Sequence, residues 1–528
     1  MIIFEDEHLL VINKPAGINT HSPSPFAGEG VYEWLKNREP RWANLAIIHR
    51  LDKETSGIIV FSKTALANRS LTNQFTERTV RKKYLLLTDQ KVSFQELKVE
   101  SVLTRAGDKY VSRPIYPGGE RAETCFKKIK SDSKGLTLIE AEPITGKTHQ
   151  IRVHAAANGF SIFGDKLYGG TDASRVFLHA AKIFFAHPAT SEPLTFSAQE
   201  NFSQDHDPRL EIRDCLIDPL VTNAFRLRHG ASDGWPGWYV ERLGDFLLSQ
   251  SDQALNANQL KHLEGLMVRF SLRAAYHKIL VRSVRKVSSP QASPQLVLGK
   301  AAPDNFVVQE NGIQFALSFR EGYSVGLFLD QRENRRRCLT NYVAPDFFLR
   351  AAGREFSVLN TFSYTCGFSV CAAKAGGMVT SLDLSKKYLD WGKQNFLLNG
   401  MNPLQHEFIY GDAFDWMKRL AKKNRQFDVV VLDPPTFSQS KEQGTFQAGK
   451  DYGKLVSAAL PLLKSNGVML ASTNAATLKP ETFLELIDTA VTSAQRNILK
   501  QHYVSQPLDF PISRDEPAYL KTVWLKIE

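Results

Sequence analysis

Through the first 200 residues, apolar and polar positions alternate in short runs. FEDEHLLVINKP, GIIVFSKT, KKYLLLT, FKKIK and LTLIEAEPI each follow the two-residue period of a half-buried strand, with glycine and proline between them. Few long helical patterns interrupt these runs, so an α+β domain with a mixed or antiparallel sheet is expected over residues 1–203. NFSQDHDPRLE, at 201–211, is polar throughout and predicts a linker.

Over residues 204–345 the pattern is mixed, and a linker followed by a small central α+β domain is expected. SDGWPGWYVERLGDFLL predicts a hairpin, LNANQLKHLEGLMVRFSL an amphipathic helix, KVSSPQASPQL a loop and ENGIQFALSFREG a pair of strands. From 346 to 528 the rhythm changes. FSVLNTF, MVTSLDLS, EFIYGDAF, FDVVVLDPP and NGVMLAST are short apolar strands. SVCAAKAGG and KKYLDWGKQNFLLNG are helices set between them. Strands alternating with helices imply a parallel sheet covered on both faces, a Rossmann-like α/β domain. The chain is thus expected to be multidomain.

Composition agrees. A chain of 528 residues suggests about two to four domains. With 43% hydrophobic and 23% charged residues it fits a soluble globular protein, and no 18-residue apolar run marks a transmembrane helix. MIIFEDEHLLVINKPAG is acidic where a signal peptide is basic, so none is expected. The five cysteines, at 125, 215, 338, 366 and 371, form no CxxC and no zinc spacing, which points to a reducing cytoplasm and no metal. The net charge of +11 favours a polyanionic partner, with nucleic acid ahead of charge that serves solubility alone.

HRLDKETSG, at 49–57, places one carboxylate, Asp52, between two apolar segments with Arg50 beside it. Alone it could be a turn residue. RKKYLLL adds Lys83 and Tyr84, and GKTHQIRVHAAANGFSIFGDKLYGG adds Arg152. An ionised carboxylate paired bidentately with a guanidinium and set near a tyrosine suits nucleophilic or base chemistry. Glycoside hydrolysis would need a second carboxylate, and none is evident.

These stretches, with EDEHLLVINKPAG and LHAAKIFFAHP, resemble the RluA-type pseudouridine synthases in order across residues 1–200. The resemblance implies that the N-terminal domain has the pseudouridine synthase fold and needs no cofactor. It further implies that Asp52 is the catalytic aspartate, Tyr84 packs on the base and moves a proton, Arg152 partners Asp52, and Arg50 enters the RNA as the uridine flips out. A base that must leave C1′, rotate and rejoin through C5 has to be taken out of its stack.

The C-terminal half offers a second set. NTFSYTCGFSVCAAKAGGMVTSLDLS reads strand, tight turn, helix, strand, acid, and Asp383 follows Gly367 by sixteen residues. Such an acid can bond both ribose hydroxyls of an adenosine. The turn is not a full GxGxxG, which weighs against a dinucleotide. Asp412 ends a third strand and could meet an adenine amino group. Asp433, Pro434 and Pro435 stand at the tip of a fourth.

Residues from about 215 to 528 resemble class I S-adenosylmethionine-dependent methyltransferases. More narrowly, they resemble the RlmI/RlmK type that acts on large-subunit rRNA, through AFRLRHGASDGWPGWYVERLGDFLL, ENGIQFALSFREGYSVGLFLDQRENRR, NTFSYTCGFSV and VVVLDPPTFSQSK. The resemblance implies S-adenosyl-L-methionine as cofactor. Its implied contacts are Asp330, Gln331, Arg332, the turn with Phe362, Tyr364 and Gly367, then Asp383, Asp412, Asp433 and Pro434, with Asp433 also catalytic. The run RENRRR, at 332–337, either meets phosphates or forms a solvated helix face.

Relatives that methylate cytosine C5 carry a cysteine after the fifth strand. Here ASTNAAT places Ser472, Thr473 and Asn474 there, and no cysteine occurs between 372 and 528. Guanine N7, whose lone pair is already available, is the favoured target, with Phe437 stacking on the base. A bifunctional cytoplasmic enzyme acting on 23S-type rRNA or a ribosome-assembly intermediate, without membrane or metal, is expected. The alternatives are that one half only binds RNA, or that the methyltransferase acts on another substrate.

Overall fold

The computed structural model describes residues 1–133, 135–200, 202–203, 207–280, 293–321, 324–351, 353–440 and 444–528. Most of the expected loop at 286–296 and part of the expected linker at 201–211 lie outside these residues. The chain divides into two compact units, Met1–Pro23 with Glu29–Leu216, and Ser24–Gly28 with Ile217–Glu528. The latter part of the expected linker is the helix Pro208–Leu216, which belongs to the first unit. Its residues Leu210, Ile212 and Leu216 are buried, so a segment that reads polar still presents an apolar face.

The first unit is built on an 11-stranded sheet. Ser56–Ser62 lies inside it, between Leu9–Lys14 and Leu178–Ala186, and all seven of its residues are buried. Its pairing with Leu178–Ala186 is parallel. Arg81–Thr88 runs between Leu178–Ala186 and Thr137–Pro143. Asp52 therefore sits in the loop entering a buried strand, and Tyr84 two strands away. Arg152 lies on the helix Gln150–Ala157 that follows Thr137–Pro143.

In the second unit a 5-stranded sheet begins with Ala224–His229, Trp238–Leu243 and Phe246–Ser251. The expected helix is Ala257–Phe270, capped by a reciprocal Asn256–Gln259 box. The expected strand pair is Phe306–Glu310 with Ile313–Leu317. A 7-stranded sheet follows in the order Glu407–Tyr410, Gly377–Asp383, Phe356–Thr361, Phe427–Leu432, Leu463–Thr473, Lys521–Ile527, Ile498–Val504. The first five are parallel, and Lys521–Ile527 is antiparallel to both of its neighbours, Leu463–Thr473 and Ile498–Val504. The order reverses beside Phe356–Thr361, so a ligand crevice opens at the carboxyl ends of that strand and Phe427–Leu432. One apolar cluster joins Leu248, Phe315 and Leu329 to Val358, Val431 and Leu470, so the central elements and this sheet share a core.

The basic run lies on the helix Arg332–Thr340 and is neither a solvated face nor a phosphate contact. Arg332, Arg335, Arg336 and Arg337 are all buried. Arg332 pairs with Asp509 and Arg335 with Glu310. Acids outside the helix supply these two counter-charges, which no local pattern could show, while Arg336 pairs with Glu333 on the same helix at 2.8 Å.

Candidate active sites

A cavity of about 530 Å3 opens in the first unit, and Arg50, Asp52, Tyr84, His149 and Arg152 all line it. Asp52 lies 3.6 Å from Arg152 Nη1, at ion-pair distance only, and 3.8 Å from His149 Nε2. The expected bidentate clamp on Asp52 is corrected by the structure. Arg152 donates through Nε and Nη2 to Asp165, at 2.7 and 2.8 Å, and both residues are buried. Its remaining Nη1 is shared between Asp52 and Glu54, each at 3.6 Å, so a second acid does stand near Asp52. Burial alone would lower the Arg152 pKa, but its hydrogen bonds and charge pairing with Asp165 outweigh that and hold it above the usual arginine range.

Tyr84 is pushed above the ordinary phenol range by burial and then by the charge of Asp52, so it stays a neutral hydroxyl. Arg50 is exposed and donates from Nη2 to Thr148 Oγ1 at 3.1 Å.

Residues beyond the expected set complete the cavity. His149 takes the left-handed conformation, φ 56°, at the head of the helix Gln150–Ala157. The Tyr110 amide donates to the Tyr168 hydroxyl at 3.0 Å, and that hydroxyl lies 2.8 Å from His149 Nδ1. Tyr168 has no other acceptor for its proton among the described residues, so Nδ1 accepts it. The hydrogen of neutral His149 is then on Nε2, facing Asp52. Burial lowers the His149 pKa and favours this neutral form.

Lys14, fully buried, donates to the carbonyls of Pro15, Ile18 and Lys53 at 3.0, 2.8 and 3.3 Å. The Gly17 amide also donates to Lys53 at 2.7 Å, so the NKPAG turn grips the loop that carries Asp52. Lys14 and His149 stand inside stretches that mark the N-terminal half. Only their partners across the fold reveal what they hold.

In the second unit the turn after Phe356–Thr361 has three alternate left-handed residues, Phe362, Tyr364 and Cys366, with φ of 54°, 49° and 64°. Non-glycine residues in this region store strain, which recurs at ligand-binding turns. The Tyr364 amide donates to Asp383 Oδ2 at 2.7 Å, and the Ser385 amide to Oδ1 at 2.8 Å. Burial raises the Asp383 pKa. Asp412 caps the helix Ala413–Lys422 through Oδ1, while its Oδ2 takes no donor among the described residues.

Asp433 accepts from Gln331 Nε2 at 3.0 Å, and the same nitrogen lies 2.8 Å from Ser472 Oγ. Asn334 holds the Gln331 carbonyl at 2.7 Å. Burial, then the neighbouring charge of Asp330, push the Asp433 carboxyl up to about 7. Arg332 is occupied by Asp509, at 2.8 and 2.6 Å, and does not reach out as a cofactor contact. Pro434 is buried, Phe437 is half exposed, and Thr436 donates to Asn474 Oδ1 at 2.6 Å. Two carboxylates with lone pairs to spare beside a strained backbone turn fit the hydroxyls and amino group of an adenosine.

A doubly wound sheet with this crevice defines a class I methyltransferase, and the sheet with Asp52 at its cavity a pseudouridine synthase. The chain belongs to the S-adenosylmethionine-dependent methyltransferase family, which it matches over residues 225–526, and over residues 8–157 to the RNA pseudouridylate synthase family. It is 31% identical over 399 residues to the ribosomal RNA large subunit methyltransferase I of Aeromonas salmonicida, covering 74% of this chain and 92% of that one. It is 39% identical over 205 residues to the uncharacterized RNA pseudouridine synthase YhcT of Bacillus subtilis, covering 37% of this chain and 67% of that one. The crystal structure of SMU.776 complexed with SAH is similar, with a TM-score of 0.52 and 29% identity over 60% of this chain and 79% of that chain. S-adenosyl-L-methionine is the cofactor of the methyltransferase half.

Proposed function

We propose that the chain is a bifunctional RNA-modifying enzyme that isomerises uridine to pseudouridine and methylates guanine N7, both in large-subunit rRNA. The curated relatives named as large-subunit rRNA methyltransferases support the substrate. In the isomerisation the C1′–N1 bond breaks and C1′–C5 forms. The proton on C5 leaves and N1 gains one, so nothing is consumed. Asp52 acts at the sugar and base, held by Arg152 and His149 without a direct clamp. Tyr84 packs on the base and exchanges a proton. Arg50, exposed at the rim, fills the space left by the flipped nucleotide.

In the second unit, Asp383 and Asp412 hold the adenosine, with Phe362, Tyr364, Gly367, Gln331 and Pro434 around the crevice. S-adenosylmethionine, when bound, supplies an electrophilic methyl group. Asp433 offsets the positive charge that the purine gains, and Phe437 stacks on the base. No side chain has to remove a proton, because N7 carries none.

The observation that carries the N7 assignment is the Thr436–Asn474 hydrogen bond at the place where C5 chemistry needs a thiol. Cys338, Cys366 and Cys371 are all buried, and their thiols are pushed up by burial, so none is primed as a thiolate. The test is nucleoside mass spectrometry of rRNA from cells lacking the gene, rescued with wild type, Asp52→Ala or Asp433→Ala. Asp52→Ala loses one pseudouridine and keeps 7-methylguanosine; Asp433→Ala does the reverse. Restoration of 5-methylcytidine instead would refute the N7 reading.

A further inference from the structure

The strand Arg81–Thr88 sends its charges two ways, because side chains alternate between the faces of a strand. Arg81 and Lys83 turn to one face, where Glu142 and Glu140 pair with them at 3.0 and 2.8 Å. Lys82 and Tyr84 turn to the other, and both line the cavity of Asp52. They stand two positions apart, about 7 Å along the strand.

No carboxylate pairs with Lys82 among the described residues. Its Nζ lies 5.7 Å from the centre of the Phe75 ring, and a methyl group built on Gly146 would stand 3.7 Å from it. Gly146 belongs to the loop ahead of the helix that carries Arg152. Burial lowers the Lys82 pKa, and no acid offsets that shift. His49 stacks on the same Phe75 ring at 5.0 Å, and its pKa is pushed down to about 3 by burial and then by the charge of Lys82.

The cavity thus has two electrostatic ends. The charge of Asp52 acts on Tyr84 but does not register on Lys82, so the tyrosine stands nearer the carboxylate than the ammonium does. Arg50 and Arg78 also line the cavity and are exposed, where RNA phosphates can meet them and keep their water. Lys82 is half-buried. An ammonium drawn inward without an acid is costly unless a ligand brings negative charge to it.

We propose that Lys82 is a catalytic residue of the isomerisation, its ammonium meeting the carbonyl edge of the flipped uracil and holding the charge that the base carries between the two bonds. This inference rests on the isomerisation reading above. When C1′–N1 breaks, its electron pair leaves with the base. The uracil anion spreads that charge over N1 and both carbonyl oxygens until C1′–C5 forms. C5 then gives up its proton and N1 gains one. Lys82 transfers no proton; it supplies fixed positive charge where negative charge develops. A lysine only donates, so it serves either oxygen as the ring turns and disfavours the 4-amino group of a cytosine.

The test uses the full chain as Lys82→Met and Lys82→Arg, on an rRNA transcript that the wild type modifies. Pseudouridine kcat, transcript Kd, methyl transfer and the melting transitions are measured for each. Lys82→Met is expected to lower kcat about a hundred- to a thousandfold. It is expected to leave the transcript Kd and its salt dependence unchanged and to keep methyl transfer. Its first unit is expected to melt higher than wild type, since an unpaired inward charge is gone. Lys82→Arg keeps the charge and is expected to be faster than Lys82→Met.

Weaker transcript binding with kcat unchanged would assign Lys82 to a phosphate and overturn the proposal. A lower melting point, with Lys82→Arg as slow as Lys82→Met, would make it a packing residue and overturn it equally. A wild-type chain that forms no pseudouridine would sink the isomerisation reading itself.

Discussion

Arg152 turns two of its nitrogens to Asp165 and leaves only the third for Asp52, 3.6 Å away. The fork thus anchors the guanidinium in the protein while Asp52 stays unclamped at the cavity. Asp165→Ala would strand a buried charge, and removing one partner of such a pair costs about 3–5 kcal/mol. The expected outcome is a lower first thermal transition and a large loss of pseudouridine formation, while methyl transfer persists.

His149 is expected to be the Nε2–H tautomer, which 15N chemical shifts of labelled histidine report directly. Tyr168→Phe removes the proton that Nδ1 accepts and is expected to mix the tautomers and slow pseudouridine formation about tenfold, since one oriented hydrogen bond is lost.

The folded His149 pKa lies below its unfolded value. The native form therefore binds fewer protons, and the residue's contribution to stability is lost as pH falls below about 6.5. His149→Gln keeps a donor at the same reach and removes the titration. Between pH 7 and pH 5 the wild-type melting point is expected to drop further than that of the variant.

Asp433 titrates at about 7, so its charge appears as pH rises through neutrality. A negative carboxylate favours the cationic product, so the methyl-transfer rate is expected to climb through about pH 7 and level off above it. Asp433→Asn is expected to give a lower, flat profile. A wild-type rate that falls over that range would count against this role. Asp383→Ala, by contrast, is expected to abolish the S-adenosylhomocysteine melting-point shift.

Arg335 is bound bidentately to Glu310, both bonds 2.7 Å, with both side chains buried. Arg335→Met leaves Glu310 unpaired, and the expected cost is about 3–5 kcal/mol. The salt dependence of RNA binding is expected to stay unchanged, because a buried arginine releases no counterions from a phosphate backbone.

Much of this was legible in the residues. Alternating strands, the βαβ rhythm and the acids Asp383, Asp412 and Asp433 all follow from local periodicity, and the structure sets the three acids at the carboxyl ends of parallel strands of one sheet. Asp52, Tyr84 and Arg152 likewise share one cavity. What the pattern misjudged was charge. RENRRR looked like a surface or a phosphate contact, and Arg152 looked like a clamp for Asp52, because their true partners, Asp509, Glu310 and Asp165, lie 177, 25 and 13 residues away.

The order of side chains along this chain was enough to determine its elements and its two families and to point to acids at strand ends, since those depend on periodicity and on loops at strand ends. Only the tertiary structure decided which guanidinium each carboxylate meets and which side chains surround His149 and Asp52. Ion pairing and burial are set by what packs across the fold, and a one-dimensional pattern holds no record of those neighbours.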